Sequence, residues 1–208
     1  MLKVGLTGGM SCGKSVVGDM FVQLGAHLIQ SDLVGHQLMQ PGEAVYQEVV
    51  RRFGTSILNA DRTVNRARLA ELAFGQPSRI RELNAIIHPA VIDYENRWMD
   101  AIAKQEPHAI AMVEAALILE AGSANRFNRL VVVTCRPEQR AERWASRAKV
   151  DVETARREVS RRMAAQLPDE EKIKAADYVI NNSGSLNATR EQVKGVYRTL
   201  LAEAESSH

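Results

Sequence analysis

The sequence predicts an α/β fold in which a parallel five-stranded sheet is covered by helices on both faces. Five short apolar runs have the length of buried strands, and helical patterns separate them. The runs are Leu2–Leu6, His27–Gln30, Ala109–Val113, Leu130–Thr134 and Tyr178–Ile180. Strands that alternate with helices form parallel sheets, which bury both faces under helices. The pattern therefore predicts a three-layer architecture.

Length and composition fit one globular core that carries an insertion. The chain has 208 residues, of which 45% are hydrophobic and 25% are charged, enough for a substantial core. The formal net charge of +2 is too small to indicate nucleic-acid binding by itself. The sequence contains no run of 18 apolar residues, so we expect no membrane-spanning helix.

A glycine-rich segment at residues 8–15 follows the first strand. Its sequence, Gly-Gly-Met-Ser-Cys-Gly-Lys-Ser, matches the P-loop pattern G-x-x-x-x-G-K-[ST]. Such a loop closes its backbone around phosphate oxygens, and the following helix directs N–H groups at the anion. Lys14 is expected to contact the β- and γ-phosphates, and Ser15 is expected to bind Mg²⁺. A chance match is the alternative, but a strand before the loop and a helical pattern after it favour a nucleotide site of the P-loop NTPase type.

The region between the second and third strands predicts a helical insertion at about residues 33–107. Its helical patterns are Gly42–Phe53, Asn65–Phe74 and Ser78–Lys104. Ser78 is a suitable N-cap for the last of these helices, and Pro89 predicts a break or kink near His88. The remaining core comprises about residues 1–32, 108–136 and 177–203. An arginine-rich helical patch at about 137–168 predicts a lid, and the tail from Ala202 is expected to be frayed.

A P-loop alone leaves a small-molecule kinase, a GTPase switch and an ATP-driven motor open. The D-x-x-G pattern at Asp32–Gly35 follows the loop too closely for a GTPase, and the chain has no N-K-x-D motif. A motor would need a larger chain and a strand that ends in paired acids, whereas the third strand ends in Glu114 alone. The short chain, the insertion and the arginine-rich helix favour a kinase.

Acidic and basic side chains near the predicted phosphate site are candidates for the chemistry. Asp32 follows the second strand, at the sheet edge where phosphates bind, and could accept a proton from an attacking hydroxyl. Its alternative role is to cap a helix that begins at Leu33. Arg140, Arg143 and Arg147 share one helix face and could stabilise charge during phosphoryl transfer. For most arginines of this patch, a solvated surface is the simpler interpretation.

The cysteine content favours a reducing compartment. The two cysteines are Cys12 and Cys135, and neither belongs to a metal-binding motif. A disulfide at Cys12 would obstruct a ligand in the phosphate loop, so both thiols are expected to be reduced. The chain begins directly on a predicted strand, which leaves no room for a signal peptide. A cytoplasmic location is therefore expected.

Together, these motifs resemble the dephospho-CoA kinase family over almost the whole chain. The matching segments are Val4–Gly9 with the P-loop, Ser31-Asp32 followed by His36, Leu83–Pro89, Leu117–Glu120, Gln166–Pro168 followed by Lys172, and Asp177–Gly184. The P-loop is generic, whereas the ordered set, with its His-Pro and Ile-Asn-Asn-Ser-Gly segments, is specific. The usual Asp-x-Asp of the second strand reads Gln30-Ser31-Asp32, so only the second acid is present.

The resemblance implies that ATP, with Mg²⁺, phosphorylates the ribose 3′-hydroxyl of dephospho-CoA in the final step of coenzyme A synthesis. It implies a CoA-binding role for the insertion, Asp32 as the catalytic base and an acceptor contact, and a further acceptor contact at His88. A lone histidine is otherwise more often structural. The implied catalytic cations are Lys14, Arg143 and Arg147. The implied ATP contacts are Gly9, Ser11, Cys12, Gly13, Lys14, Ser15, Val16 and Asn182.

Glu114 occupies a position where many family members have Asp, which suggests a water-mediated contact to Mg²⁺. Its alternative role is a strand-end acid that pairs with an arginine. Two other functions stay open from the sequence. One is a related P-loop kinase for nucleosides, nucleoside monophosphates or shikimate-like acceptors, and the other is a nucleotide-binding switch without catalysis. We expect ATP and dephospho-CoA as partners, with no nucleic acid and no membrane, while the oligomeric state stays open.

Overall fold

The computed structural model describes residues 1–74 and 76–206 and contains the predicted sheet. Its strands are β1 (Leu2–Gly8), β2 (His27–Gln30), β3 (Ile110–Glu114), β4 (Arg129–Thr134) and β5 (Tyr178–Asn181). They lie in the order β2-β3-β1-β4-β5, and β1 pairs in parallel with both β3 and β4. The prediction of a parallel five-stranded α/β sheet is confirmed, and each strand lies within two residues of its predicted limits.

Contacts divide the chain into two compact units. The first comprises Met1–Ile29 and the chain from Ala101 onward, and the second comprises Gln30–Asp100. The helices of the first unit are α1 (Lys14–Gln23), α6 (Pro137–Ala148), α7 (Val152–Met163), α8 (Asp169–Ala175) and α9 (Leu186–Ser206). The second unit contains α2 (Ser31–Leu38), α3 (Ala44–Phe53), α4 (Arg66–Phe74) and most of α5 (Pro77–Gln105).

The core of the first unit is built on the central strands. All five residues of β3 are buried, and Leu130, Val131, Val132 and Val133 of β4 are buried as well. Phe21 of α1 and Leu200 of α9 share an apolar cluster with Val131 and Val133, whereas Leu130 and Val132 belong to a second cluster. Each such side chain contributes about 1.5–3 kcal/mol through burial. This packing fixes the end of β1, where the glycine-rich loop begins.

The second unit has a separate helical core. Val45, Val49 and Phe53 lie four residues apart on α3, so they share one face and pack with Ile57 and Leu69. Among its described residues, the only β pairing outside the sheet is an isolated bridge between Leu58 and Val64.

Three local predictions are wrong. α5 begins at Pro77, so Ser78 lies in its first turn rather than at its N-cap, and proline suits the first helical position. α5 also continues through Pro89, so the predicted break near His88 is wrong, whereas the kink given as its alternative stays a prediction. Ile86, Ile87 and Ala90, which surround this point, pack on the second unit's core, and this packing offsets the hydrogen bond that proline removes.

The third error concerns the C-terminal tail. α9 continues to Ser206, because Leu200 and Ala204 are buried and His108 Nδ1 lies 3.3 Å from the Ala204 carbonyl oxygen. Residues 207 and 208 of the predicted frayed tail lie outside the described residues. Within residues 1–74 and 76–206, no helix is long and apolar enough to cross a membrane.

Candidate active site

The glycine-rich loop joins the end of β1 to the start of α1, and two of its glycines are required by the backbone. Gly8 has φ of 149° and Gly13 has φ of 87°, values that side-chain-bearing residues rarely adopt. A Cβ at Gly8 would collide with the Val133 carbonyl oxygen of β4, and one at Gly13 would collide with the Asn182 amide. The loop can therefore curve in this way only with glycine at both positions.

Lys14 and Ser15 open α1 and present their polar atoms near the loop. Lys14 Nζ donates hydrogen bonds to the carbonyl oxygens of Gly8, at 3.2 Å, and Gly9, at 3.3 Å. Ser15 Oγ donates to Glu114 Oε1 at 3.0 Å, and Glu114 is buried at the end of β3. The ammonium group of Lys14 thus lies at the loop. The hydroxyl of Ser15, the next residue, is hydrogen-bonded to the carboxylate of Glu114.

Arg143 and Asn182 hold the loop from the side of α6 and β5. Arg143 Nη1 donates to the Cys12 carbonyl oxygen at 3.1 Å, and Nη2 donates to the Asn182 carbonyl oxygen at 2.8 Å. The buried side chain of Asn182 donates to the same Cys12 oxygen at 2.8 Å and accepts from Thr189 at 2.9 Å. Asn182 therefore supports the loop directly, a role that the sequence reasoning missed.

The other two arginines of the predicted helix face also reach the loop region. Arg147 Nη2 lies 3.4 Å from Ser11 Oγ, and its guanidinium stacks on Trp144 at 4.8 Å. Arg140 is buried, forms an ion pair with Asp169 and donates to the Cys135 carbonyl oxygen at 3.4 Å. The spacing of three and four residues in the sequence thus brings Arg140, Arg143 and Arg147 to one side of α6.

A buried ion pair anchors the segment that follows the arginine-rich helices. Lys172 of α8 is fully buried and lies 2.9 Å from Glu120 Oε1 and 3.1 Å from Gln166 Oε1. The backbone N–H of Leu167 also donates to Glu120 at 3.0 Å. Glu120 belongs to a different sequence motif from Gln166 and Lys172, and no pattern in the sequence predicts that they pair. Removing Glu120 would leave the buried charge of Lys172 without its carboxylate partner.

Asp32 lies in the first turn of α2, in the second unit, and its side chain is exposed. The N-cap of α2 is Gln30, so the proposed capping role of Asp32 for a helix from Leu33 is wrong. The neighbouring Ser31 Oγ donates to Glu95 Oε1 of α5 at 2.5 Å, and Glu95 is buried. This contact fixes the start of the helix that presents Asp32.

His36 lies one helical turn beyond Asp32. Burial lowers the pKa of His36 below its usual 6.5, the positive charge of Arg66 lowers the pKa further, and the Asp32 carboxylate opposes both effects. His88 is an exposed residue of α5. The second unit thus presents an exposed carboxylate and an exposed imidazole, while Lys14, Ser15, Arg143 and Arg147 meet around the loop of the first unit.

Comparisons with known proteins identify the family. The sequence model of the family described as dephospho-CoA kinase matches residues 2–188. A dephospho-CoA kinase from Aquifex aeolicus is 37% identical over 98% of this chain and 100% of its own length. One from Syntrophotalea carbinolica is 37% identical over 97% of this chain and 93% of its own length.

Solved structures agree on the fold. A crystal structure from Thermus thermophilus matches with a TM-score of 0.78 and 29% identity, and the match covers 97% of each chain. A shikimate kinase from Bacteroides thetaiotaomicron matches with a TM-score of 0.51 and 14% identity over 96% of this chain and 98% of its own. The second likeness concerns the fold alone. The match over residues 2–188, with two relatives of 37% identity, shows that the chain belongs to the dephospho-CoA kinase family.

Proposed function

We propose that this chain uses the glycine-rich loop and the α6 arginines to transfer the γ-phosphoryl group of ATP to the 3′-hydroxyl of dephospho-CoA. ATP-dependent phosphorylation of dephospho-CoA in coenzyme A biosynthesis is the function that family membership supports. The observation that carries the proposed site is the convergence of Lys14, Arg143 and Arg147 on one loop. The relatives do not favour the two alternative functions, a P-loop kinase with a different acceptor and a nucleotide-binding switch without catalysis.

In this proposal, the loop holds the phosphates of ATP. Backbone N–H groups of residues 9–16 and the N-terminus of α1 direct positive potential at the β- and γ-phosphates. Lys14 exchanges its contacts with loop carbonyl oxygens for contacts with phosphate oxygens. Arg143 and Arg147 stabilise the charge that spreads over the transferred group. Asn182 acts on ATP through the loop, because its amide already bonds to Cys12 and Thr189.

The residues around Ser15 fit a bound Mg²⁺. Ser15 Oγ and the Glu114 carboxylate are in contact, and both are the hard oxygen donors that this ion prefers. Ser15 would hold the ion directly and Glu114 through water. When bound, Mg²⁺ neutralises charge on the β- and γ-phosphates during transfer. The burial of Glu114 supports this role, since a buried carboxylate favours a nearby positive charge.

Asp32 is proposed to accept the proton of the attacking 3′-hydroxyl. Asp32 has an exposed carboxylate and comes two residues after the end of β2. In such folds, phosphate ligands bind at the sheet edge formed by the carboxyl ends of the strands. His88, exposed on α5, is proposed as a contact to the acceptor. The helical second unit would then bind dephospho-CoA, and residues of about 137–168 would form the lid.

A cytoplasmic location is also proposed. Its support is the pair of free cysteines, one of which lies inside the phosphate loop. Such thiols persist in a reducing compartment.

A coupled ADP-release assay tests the proposed reaction. We expect ADP release with ATP and Mg²⁺ to rise strongly when dephospho-CoA is added, with formation of CoA detected by mass spectrometry. Adenosine, AMP and shikimate serve as control acceptors, and they should give little ADP above the background. A larger rise with one of these control acceptors would reject the assignment. Binding of ATP without a rise for any acceptor would favour the non-catalytic switch.

A further inference from the structure

The two cysteines form a contact that the phosphoryl-transfer mechanism does not use. Cys12 Sγ and Cys135 Sγ lie 3.4 Å apart and share a hydrogen bond. Both thiols are free, and both side chains are buried in the apolar cluster beneath the loop. Cys12 belongs to the phosphate loop, whereas Cys135 directly follows β4. Residues from two separate segments are therefore in contact through their sulfur atoms.

The surroundings favour reactivity at Cys135. The hydrogen bond between the two thiols lowers the pKa of Cys135, burial opposes this effect, and the charges of Arg140 and Arg143 lower the pKa further. The same hydrogen bond and burial raise the pKa of Cys12. Cys135 is thus the more acidic of the two thiols, and the charges of two guanidinium groups favour its ionised form. Thiolate character beside cations is typical of reactive cysteines.

We propose that Cys12 and Cys135 are an oxidation site, at which hydrogen peroxide forms an intramolecular disulfide that closes the phosphate loop to nucleotides. The oxidant is a small peroxide, because Cys135 is only 7% exposed and Cys12 is fully buried. A bulkier disulfide reagent would not reach either sulfur without opening the structure.

The chemistry balances in two steps. The Cys135 thiolate attacks one oxygen of hydrogen peroxide, the O–O bond breaks, and the departing hydroxide takes a proton to become water, which leaves a sulfenic acid. Cys12 then attacks the Cys135 sulfur, an S–S bond forms, and the sulfenic hydroxyl leaves as a second water with the Cys12 proton. Two electrons pass from the sulfurs to the peroxide.

Bond formation would displace the loop. A disulfide has an S–S length near 2.05 Å, so sulfurs now 3.4 Å apart must approach by about 1.4 Å. The carbonyl oxygen of Cys12 accepts hydrogen bonds from Arg143 and Asn182, at 3.1 and 2.8 Å. Moving Cys12 therefore changes the contacts that set the curvature of the loop. Nucleotide affinity depends on that curvature, because the N–H groups must point at the phosphates.

The test combines peptide mapping with direct nucleotide binding. Purified protein is treated with hydrogen peroxide, digested without reduction and examined by mass spectrometry, while binding of a fluorescent ATP analogue is measured before and after treatment. We expect a linked pair of peptides carrying Cys12 and Cys135, binding weaker by about 10-fold or more, and recovery of both after dithiothreitol. The chain has only these two cysteines, so the linkage in monomeric protein has one assignment.

Two further measurements make the result decisive. Cys135→Ser should bind the analogue normally, form no disulfide and keep its affinity after peroxide; Cys135→Ala serves if the serine variant is unstable. Saturating ATP and Mg²⁺ should lower the oxidised fraction of the unmodified protein, because the coupling of two equilibria is reciprocal. Over-oxidised Cys135 without a linked peptide, or a disulfide that leaves binding unchanged, would overturn the proposal. Binding of the ATP analogue by the reduced protein tests separately whether the glycine-rich loop is the nucleotide site. This measurement does not require dephospho-CoA.

Discussion

Ser31 donates a 2.5 Å hydrogen bond to the buried carboxylate of Glu95, and Ser31 is the residue immediately before Asp32. The contact joins the first turn of α2 to α5 within the helical unit. The middle residue of the segment Gln30-Ser31-Asp32 is thus held by a hydrogen bond to α5. This bond orients the backbone that carries Asp32, the proposed base.

We expect Ser31→Ala to lower kcat by about 10-fold while the KM for ATP changes by less than about twofold, because misplacement of the base affects transfer rather than donor binding. Steady-state kinetics with varied ATP and dephospho-CoA measure both constants. Ser31→Thr should restore much of the rate, and Ser78→Ala in the first turn of α5 is the matched control. An unchanged kcat, or an effect confined to the KM for ATP, would contradict the positioning role.

Asp32→Asn tests the base itself. It should leave ATP binding near normal and reduce turnover by about 100-fold or more, because the amide accepts no proton from the acceptor hydroxyl. Single-turnover measurements separate transfer from product release. The control is Asp93→Asn, which removes an exposed carboxylate of α5 that pairs with Arg97 at 3.2 Å. Normal turnover by Asp32→Asn would exclude Asp32 as the base.

Lys14→Ala should impair both ATP binding and turnover. The variant loses the charge intended for the β- and γ-phosphates and also the two hydrogen bonds to loop carbonyl oxygens. Titration of a fluorescent ATP analogue and the ADP-release assay measure the two effects. Lys174→Ala, which removes an exposed lysine paired with Glu171, should change neither. An active Lys14→Ala enzyme would refute the assignment of the phosphate site.

Asn182→Ala should lower stability as well as ATP affinity. The substitution removes two hydrogen bonds of a buried amide, to Cys12 and from Thr189, and each such bond contributes about 0.5–1.5 kcal/mol to stability. Denaturant unfolding should show a lower midpoint, and analogue binding should weaken. Asn187→Ala, at an exposed position of α9, should have little effect. Stability equal to that of the unmodified protein would argue against the supporting role.

The pKa of His36 should report the charge of Asp32. It lies below 6.5 in the folded protein, so the folded state disfavours protonation, and its contribution to stability is full above pH 6.5 and falls as pH decreases through the folded pKa. NMR titration of the His36 ring measures this pKa. Asp32→Asn should lower the pKa further and Arg66→Gln should raise it. A shift of opposite sign in either variant would contradict the charge arrangement.

The sheet could be predicted because its strands are short apolar runs, such as Leu130–Val133. Such a run indicates a buried strand from the local sequence alone. The P-loop could be predicted because its chemistry is local in sequence. Both successes rest on residues that are close together along the chain. Local rules also misled where packing decided the outcome, as at Pro89, where the helix continues because its neighbours pack on a core.

The supporting contacts of the site could not be predicted, because they join residues far apart in sequence. Ser31 and Glu95 are separated by 64 positions, and Asn182 reaches Cys12 across 170. Burial of Lys172 beside Glu120 runs against the general tendency of charged residues to be exposed. No periodicity or short motif encodes such pairs, which become visible only once the fold brings the segments together.

Because no side chain fits at Gly8, missense mutations of this residue should affect the amount of folded protein in the cell. Any missense change there adds carbon where the Val133 carbonyl oxygen lies, at a point where β1 and β4 pair. The damage would begin in the folding of the central strands, before any substrate is bound. Cells carrying such an allele would lose the enzyme to proteolysis rather than retain a slow catalyst, so the phenotype would be one of protein abundance.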